Sequence, residues 1–328
     1  MNISTKSISA GLAAIIIVIG LVGFWWGFEP DVFDVDAQAQ QAANVNNERV
    51  VTGYTTATAL INVMDTLMTK SGGYLSNDVL PPGIMMDNIP SWEFGALEMS
   101  RDLVLAMRKD FSRSQSQSLE NPQLVKASPK LNFDHNRWIL PSSEGEFQDG
   151  VDALLVYRSE LSSVSERNSQ FYARADNLRE YLKQVEKRLG SLSQQLSASV
   201  GTESFNTDLA GDSAARQSTP QSNKVITKTG WFELDNNFYQ ARGASWALLH
   251  FLKAIETDFA DVLQKKNASV SLQQIIRELE STQGPVYSPV ILNGNGFGFL
   301  ANHSLVMANY ISRANAALIE LSELLNQG

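Results

Sequence analysis

Gly294, Gly296 and Gly298 stand at alternate positions in the string NGNGFGF, the spacing in this chain that comes nearest to a phosphate-cradling loop. Such a loop follows a strand and leads into a helix carrying Lys and then Ser or Thr. Neither context is present here, so the spacing predicts a tight turn between helices. Glycine admits positive φ in such a turn, and Phe297, Phe299 and Leu300 then pack beneath it or form an apolar contact surface. His303, beside Asn302 at the start of the last helical stretch, is a polar ligand or a capping residue. The three histidines, His135, His250 and His303, make no i, i+4 metal pair. With no cysteine there is no thiolate nucleophile, disulfide or zinc-thiolate site. No metal and no cofactor is expected.

The elements that must position these residues begin with an anchor. Residues 8–28, ISAGLAAIIIVIGLVGFWWGF, are uncharged and apolar. At about 1.5 Å per residue they are long enough to cross a hydrocarbon core of roughly 30 Å. Lys6 precedes the run and Glu29, Asp31, Asp34 and Asp36 follow it, which keeps the N-terminus in the cytoplasm and puts the rest outside, in a bacterium the periplasm. Trp25 and Trp26 close the run at the outer headgroup layer. A cleavable signal would be shorter and end near a small-x-small site. The one tolerable site, Val35-Asp36-Ala37, lies well past the apolar end. A buried core helix fits no better, because the run has no polar face.

Beyond the anchor the pattern is all-α. Of 328 residues, 43% are hydrophobic and 19% charged, as in a globular protein; the net charge of -9 argues against nucleic acid or anionic lipid as the main ligand. Residues 38–47 are Gln, Ala and Asn with one Val, and read as a polar stalk within 29–47. Helical periodicity follows in 56–68 and 91–111, separated by a Gly/Pro loop over 71–90; 112–141 reads as an ordered loop or short elements that pack. Residues 144–197 carry the most regular pattern. Leu154, Leu161, Asn168, Ala175, Leu182, Leu189 and Leu196 recur every seven residues, with Tyr157, Val164, Phe171, Leu178, Val185 and Leu192 between them. That spacing predicts one long helix, with Ser143 and Glu146 as its capping box and its seam packed in its own domain or against a second copy. Residues 198–229 read as a flexible linker between an N-terminal part, 48–197, and a C-terminal part, 230–328. The latter holds helices over 231–263, with Phe232, Phe238 and Trp246 on the core face, over 271–280 and over 300–325. No extended period-2 run is expected. The loops over 71–83 and 282–294 share Gly, Tyr, Ser, Val, Leu and Gly in order, as a duplicated helix-loop-helix unit would.

Two resemblances bear on function. Glu280-Ser281, followed by Pro285, Ser288 and the Gly/Phe loop, resembles the lytic transglycosylases that cleave peptidoglycan, which implies Glu280 as a general acid. That family's Gly-Leu-Met-Gln stretch and its later Ala-Tyr-Asn motif are absent. The strings SRSQSQSLENPQL, NFDHNRWILPSSEGEFQDG, WFELDNNFYQARGASWALLHFLKAIETDF and SPVILNGNGFGFLANHSLVMANYISRANAAL resemble the proteobacterial membrane-anchored domain of unknown function numbered 2333 over nearly the whole chain. This resemblance implies a single N-terminal anchor and no assigned activity. The expectation is an inner-membrane protein with a periplasmic helical body, acting as an envelope scaffold or accessory subunit for a protein partner. Its contact candidates are Tyr74, Tyr287, Asn293, Gly294, Gly296, Phe297, Phe299, Asn302 and His303. The alternative is a peptidoglycan-acting enzyme using Glu280.

Overall fold

Helix α1, Thr5–Trp26, is long and apolar enough to cross a membrane, and its window Ser9–Trp26 is not buried in the body. The computed structural model describes residues 5–113, 119–163, 169–205, 224–295 and 298–327. The segment after α1 is not a free stalk. Residues 35–46 form helix α2, Val35–Asn46, which opens with the Asp34 carboxylate accepting from the Ala37 amide at 3.0 Å and closes on Asn47 at φ 53°. Val35, Ala39 and Ala43 are buried. Polar composition pointed to a stalk, but alanines four residues apart favour helix and let it pack closely on its neighbours.

The body is a layered helical assembly. Helices α3, Tyr54–Thr69, and α4, Asn88–Ala106, are separated by a loop with one 3-10 turn; α4 then widens into a π turn at Met107–Phe111. Helix α5, Pro122–Leu131, fills part of the stretch read as loop, and Leu124, Ala127 and Leu131 bury its inner face. The long heptad helix expected over 144–197 is two helices, α6, Ser143–Ser162, and α7, Ala175–Ser197. The break follows Ser162, whose hydroxyl accepts from the Arg49 amide at 2.6 Å, and the Ser169 hydroxyl accepts from the Asn121 side chain at 2.7 Å, so serines on both sides of it bond to distant parts of the chain. There the Tyr172 amide donates to the Phe111 carbonyl at 2.6 Å and the Tyr157 hydroxyl to the Gln170 carbonyl at 3.1 Å. Val164 and Asn168 of the seam lie outside the described residues. Leu178, Leu182, Val185, Leu189 and Leu196 are buried within this chain, α7 packing on α4 and α11. The cap of α6 is Ser142, accepting from the Gly145 amide at 3.2 Å; Ser143 instead donates to the carbonyls of Asp134 and Arg137 and holds the preceding loop.

Residues 198–229 contain two short antiparallel strands, β1, Thr202–Phe205, and β2, Lys224–Thr227, in register Thr202 to Thr227. Four residues per strand are too few for a period-2 pattern to stand out. Helices α8, Leu234–Asp258, α9, Ala260–Lys265, α10, Ser269–Thr282, and α11, His303–Asn326, complete the chain. Phe232, read as core, is exposed beside Trp231 in the turn ahead of α8, whereas Phe238, Trp246, Phe251 and Ile255 are buried.

Helices from both sides of 198–229 share one core. Its centre is the crossing of α4 and α8, where Gly95 faces the Gln240 carbonyl and Gly243 the Trp92 carbonyl; a Cβ at either glycine would overlap the opposing backbone. Trp92 and Trp246 pack there at 5.0 Å between ring centroids. The N-terminus of α3 is capped from far along the chain. Asp258 accepts from the amides of Gly53 and Thr56 at 2.8 and 2.7 Å and from the Thr56 hydroxyl at 2.7 Å. Burial pushes the Asp258 carboxyl up to about 6, against the pull of those hydrogen bonds.

Candidate functional site

The site begins where the chain leaves α1. Residues 29–36 run along α8 and meet it at rising positions. Glu29 pairs with Arg242, the Trp246 indole donates to the Asp31 carbonyl at 3.3 Å, the Phe33 amide donates to His250 Nε2 at 3.0 Å, and the Thr257 hydroxyl donates to Asp36 at 2.9 Å. The α8 contacts are four, four and seven residues apart, so they lie on one helical face. The α1-proximal end of the body is therefore the end holding Arg242, the loops over 71–87 and 283–302, and the start of α11. The distal end holds Asp258 and the break between α6 and α7.

Arg242 is the hub of the proximal end. Its Nε lies 2.6 and 2.8 Å from the two Glu29 oxygens, Nη1 donates to the carbonyls of Thr282 and Gly284 at 3.0 and 2.8 Å, and Nη2 donates to that of Gln283 at 3.4 Å. One buried guanidinium thus ties the post-helix segment to the end of α10, where the last carbonyls lack helical donors. Burial pushes the Glu29 carboxyl up, and Arg242 opposes the shift. His250 is fully buried and stacks on Phe33 with centroids 3.8 Å apart. Its Nδ1 lies 2.7 Å from the Trp246 carbonyl and must carry the proton, which leaves Nε2 as the acceptor for Phe33. Burial pulls its pKa down to about 4, so the ring is neutral at pH 7.

A cleft of about 360 Å³ opens beside Arg242, between α8, the end of α10 and the start of α11. Phe238, Val286 and Met307 give it apolar walls; Ser281, Tyr287, Ser288, His303 and Tyr310 supply polar groups. The volume suits a small apolar group held by a few polar contacts. The described lining carries no carboxylate, and Arg242 is already engaged by Glu29 and three carbonyls. Such an arrangement can bind. It lacks the pair of acids that glycoside hydrolysis uses.

Several sequence candidates do come together. Asn302 caps α11, accepting from the Leu305 amide at 2.8 Å and donating to the Gly294 carbonyl at 2.5 Å; the Gly294 amide donates to the Ala301 carbonyl at 3.0 Å. Asn293 accepts from the Ser304 hydroxyl at 2.8 Å, and His303 Nδ1 accepts from the Leu292 amide at 3.2 Å. Asn293, Gly294, Asn302 and His303 therefore close the base of one loop, and only the His303 ring also faces the cleft. Tyr287 is 92% exposed and Phe299 fully so. Gly296 and Phe297 lie outside the described residues. Tyr74 is not on a surface: it is 3% exposed and packs edge-on against Phe147 at 5.5 Å. The two loops that looked alike thus place their tyrosines in opposite environments. Glu280 is half exposed on α10, paired with Lys253 at 2.7 Å and outside the cleft lining.

Arg242 and His250 match no motif in the sequence. A signal was available, since Phe238, Arg242, Trp246 and Leu249 share one helical face, and a charge within a core stripe demands a buried partner. Glu93 is a similar case. It is buried against Lys70 at 2.5 Å and accepts from the amides of Leu75 and Ser76 at 2.8 Å each, pinning the loop after α3 onto α4.

These features define a class: a helical body whose first segment, fresh from one helix able to cross a membrane, is latched along a core helix. The chain belongs to a family of uncharacterised proteins conserved in bacteria (DUF2333), whose family model matches residues 2–328. No curated protein and no solved structure matches it.

Proposed function

We propose that this is a single-pass protein of the bacterial inner membrane, with its N-terminus in the cytoplasm and its helical body in the periplasm, acting as a scaffold or accessory subunit for another envelope protein. One observation carries the reading: residues 29–36 are latched along α8, so the body is held in one orientation on its anchor rather than swinging on a tether. Fixed presentation suits assembly with a neighbour. The charge asymmetry around residues 8–28 supports the orientation. The cleft and the exposed Tyr287 and Phe299 supply a contact surface of the aromatic kind that protein interfaces favour.

Photocrosslinking residues placed at Tyr287 and Phe299 in living cells test it. A discrete protein adduct common to both sites supports the scaffold, and no adduct at either speaks against it. The enzyme alternative rests on Glu280, whose exposure and pairing with Lys253 favour a surface role. Glu280→Gln should therefore leave any cellular phenotype unchanged. Release of soluble muropeptides by the purified protein, abolished by that change, would replace the scaffold with an enzyme.

A further inference from the structure

One face of the last turns of α1 is covered by the body. Along that helix Ile19, Val22, Gly23 and Trp26 are half-covered while their neighbours are open, a 3, 4, 7 spacing that marks a single stripe. A Cβ built on Gly23 would sit 3.2 Å from Pro82, and one on Gly72, which holds φ at +85°, would sit 2.7 Å from the Trp26 ring. The loop over 71–87 thus leans on the helix rather than ending where the helix emerges.

Depth follows from this contact. Gly23 lies three residues before Trp26, the end of α1, which at about 1.5 Å per residue is roughly 4–5 Å inside it. Whatever touches Gly23 is at that depth if α1 spans the bilayer. Around Pro82 stand Leu80, 70% exposed, and Met85, 75% exposed, with Ile84 also open. The next loop joins them, since the Asn77 side chain donates through Nδ2 to the Arg137 carbonyl at 2.9 Å, and just beyond it Trp138, Ile139 and Leu140 are exposed. Elsewhere in the described body the other exposed aromatics, Trp231, Phe232, Tyr287 and Phe299, also lie at the α1-proximal end. At the distal end the open apolar residues are aliphatic, such as Val45.

We infer that the loops over 79–85 and 138–140 dip into the outer leaflet beside α1, so that the body is seated in the lipid surface as well as tethered to it. The occupant is the interfacial and upper acyl layer of the bilayer, which accepts apolar side chains and tryptophan at this depth. The attraction is apolar, as suits a chain of net charge -9. This inference rests on the reading of α1 as a membrane span, and the experiment separates the two.

The natural chain has no cysteine, so single cysteines report cleanly. The full chain is reconstituted in phosphatidylcholine nanodiscs with an environment-sensitive fluorophore at Met85→Cys, Leu140→Cys, Val45→Cys or Leu21→Cys, and quenched by lipids carrying a nitroxide high on the acyl chain. These sites are exposed, and the substitutions leave the core intact. Quenching at Met85 and Leu140 should exceed that at Val45 several-fold and approach that at Leu21, with blue-shifted emission. Quenching at Met85 and Leu140 no greater than at Val45, while Leu21 is strongly quenched, would overturn the seating and turn the patch over to a protein partner. Weak quenching at Leu21 itself would overturn the span, and the seating with it.

Discussion

At the residue scale, buried polar groups join distant parts of the chain. Arg242→Met leaves the Glu29 carboxylate and the carbonyls of 282–284 without their shared donor. Breaking a buried pair from one side costs about 3–5 kcal/mol. Thermal unfolding in detergent should show a loss of that order, and limited proteolysis should cut faster within 29–34. His250 gives a pH signature. Its folded pKa lies near 4 and its unfolded value near 6.5, so the folded state binds fewer protons in that window. Stability from this group is full above pH 6.5 and is lost as pH falls toward 4, by up to about 3 kcal/mol. Asp258, raised to about 6, titrates in the same range with the opposite sign. The check is therefore a difference: unfolding free energy of the natural protein minus that of His250→Gln should fall between pH 7 and pH 4, while Asp258 cancels. A flat difference would mean that the ring is charged or open to water.

At the scale of elements the close crossing of α4 and α8 depends on two glycines. Gly243→Ala puts a methyl into the Trp92 carbonyl and should cost about 1–3 kcal/mol, the range for overpacking a core. Leu182→Ala, in the buried face of α7, should cost about 2–5 kcal/mol by denaturant unfolding. Most elements were legible in the sequence because 3.6-residue periodicity survives wherever one face is buried, as it does for α3, α10 and α11. The break between α6 and α7 was not. Leucines at heptad spacing line up whether the chain is one helix or two, and the serines that end α6 are weak signals against such a pattern. Helix α2 was hidden for the opposite reason, since alanine and glutamine pack without displaying an apolar stripe. The loop base built from Asn293, Gly294, Asn302 and His303 was readable from turn chemistry. Tyr74 and Tyr287, similar in sequence, separate only when tertiary contacts bury the first and leave the second in the open.

At the scale of the whole molecule the body has a polarity: its open aromatics gather at the end nearest α1, and the latch of 29–36 fixes that end against the helix. It suits the proposed topology, in which α1 crosses the bilayer and the charge asymmetry around it puts the body on the far side. A reporter fused after residue 328 addresses that claim most directly. Alkaline phosphatase, which folds to an active enzyme only after export, should be active in that position, and a fluorescent protein that matures only in the cytoplasm should stay dark. A dark phosphatase fusion beside a bright fluorescent one would place the body in the cytoplasm and contradict the account.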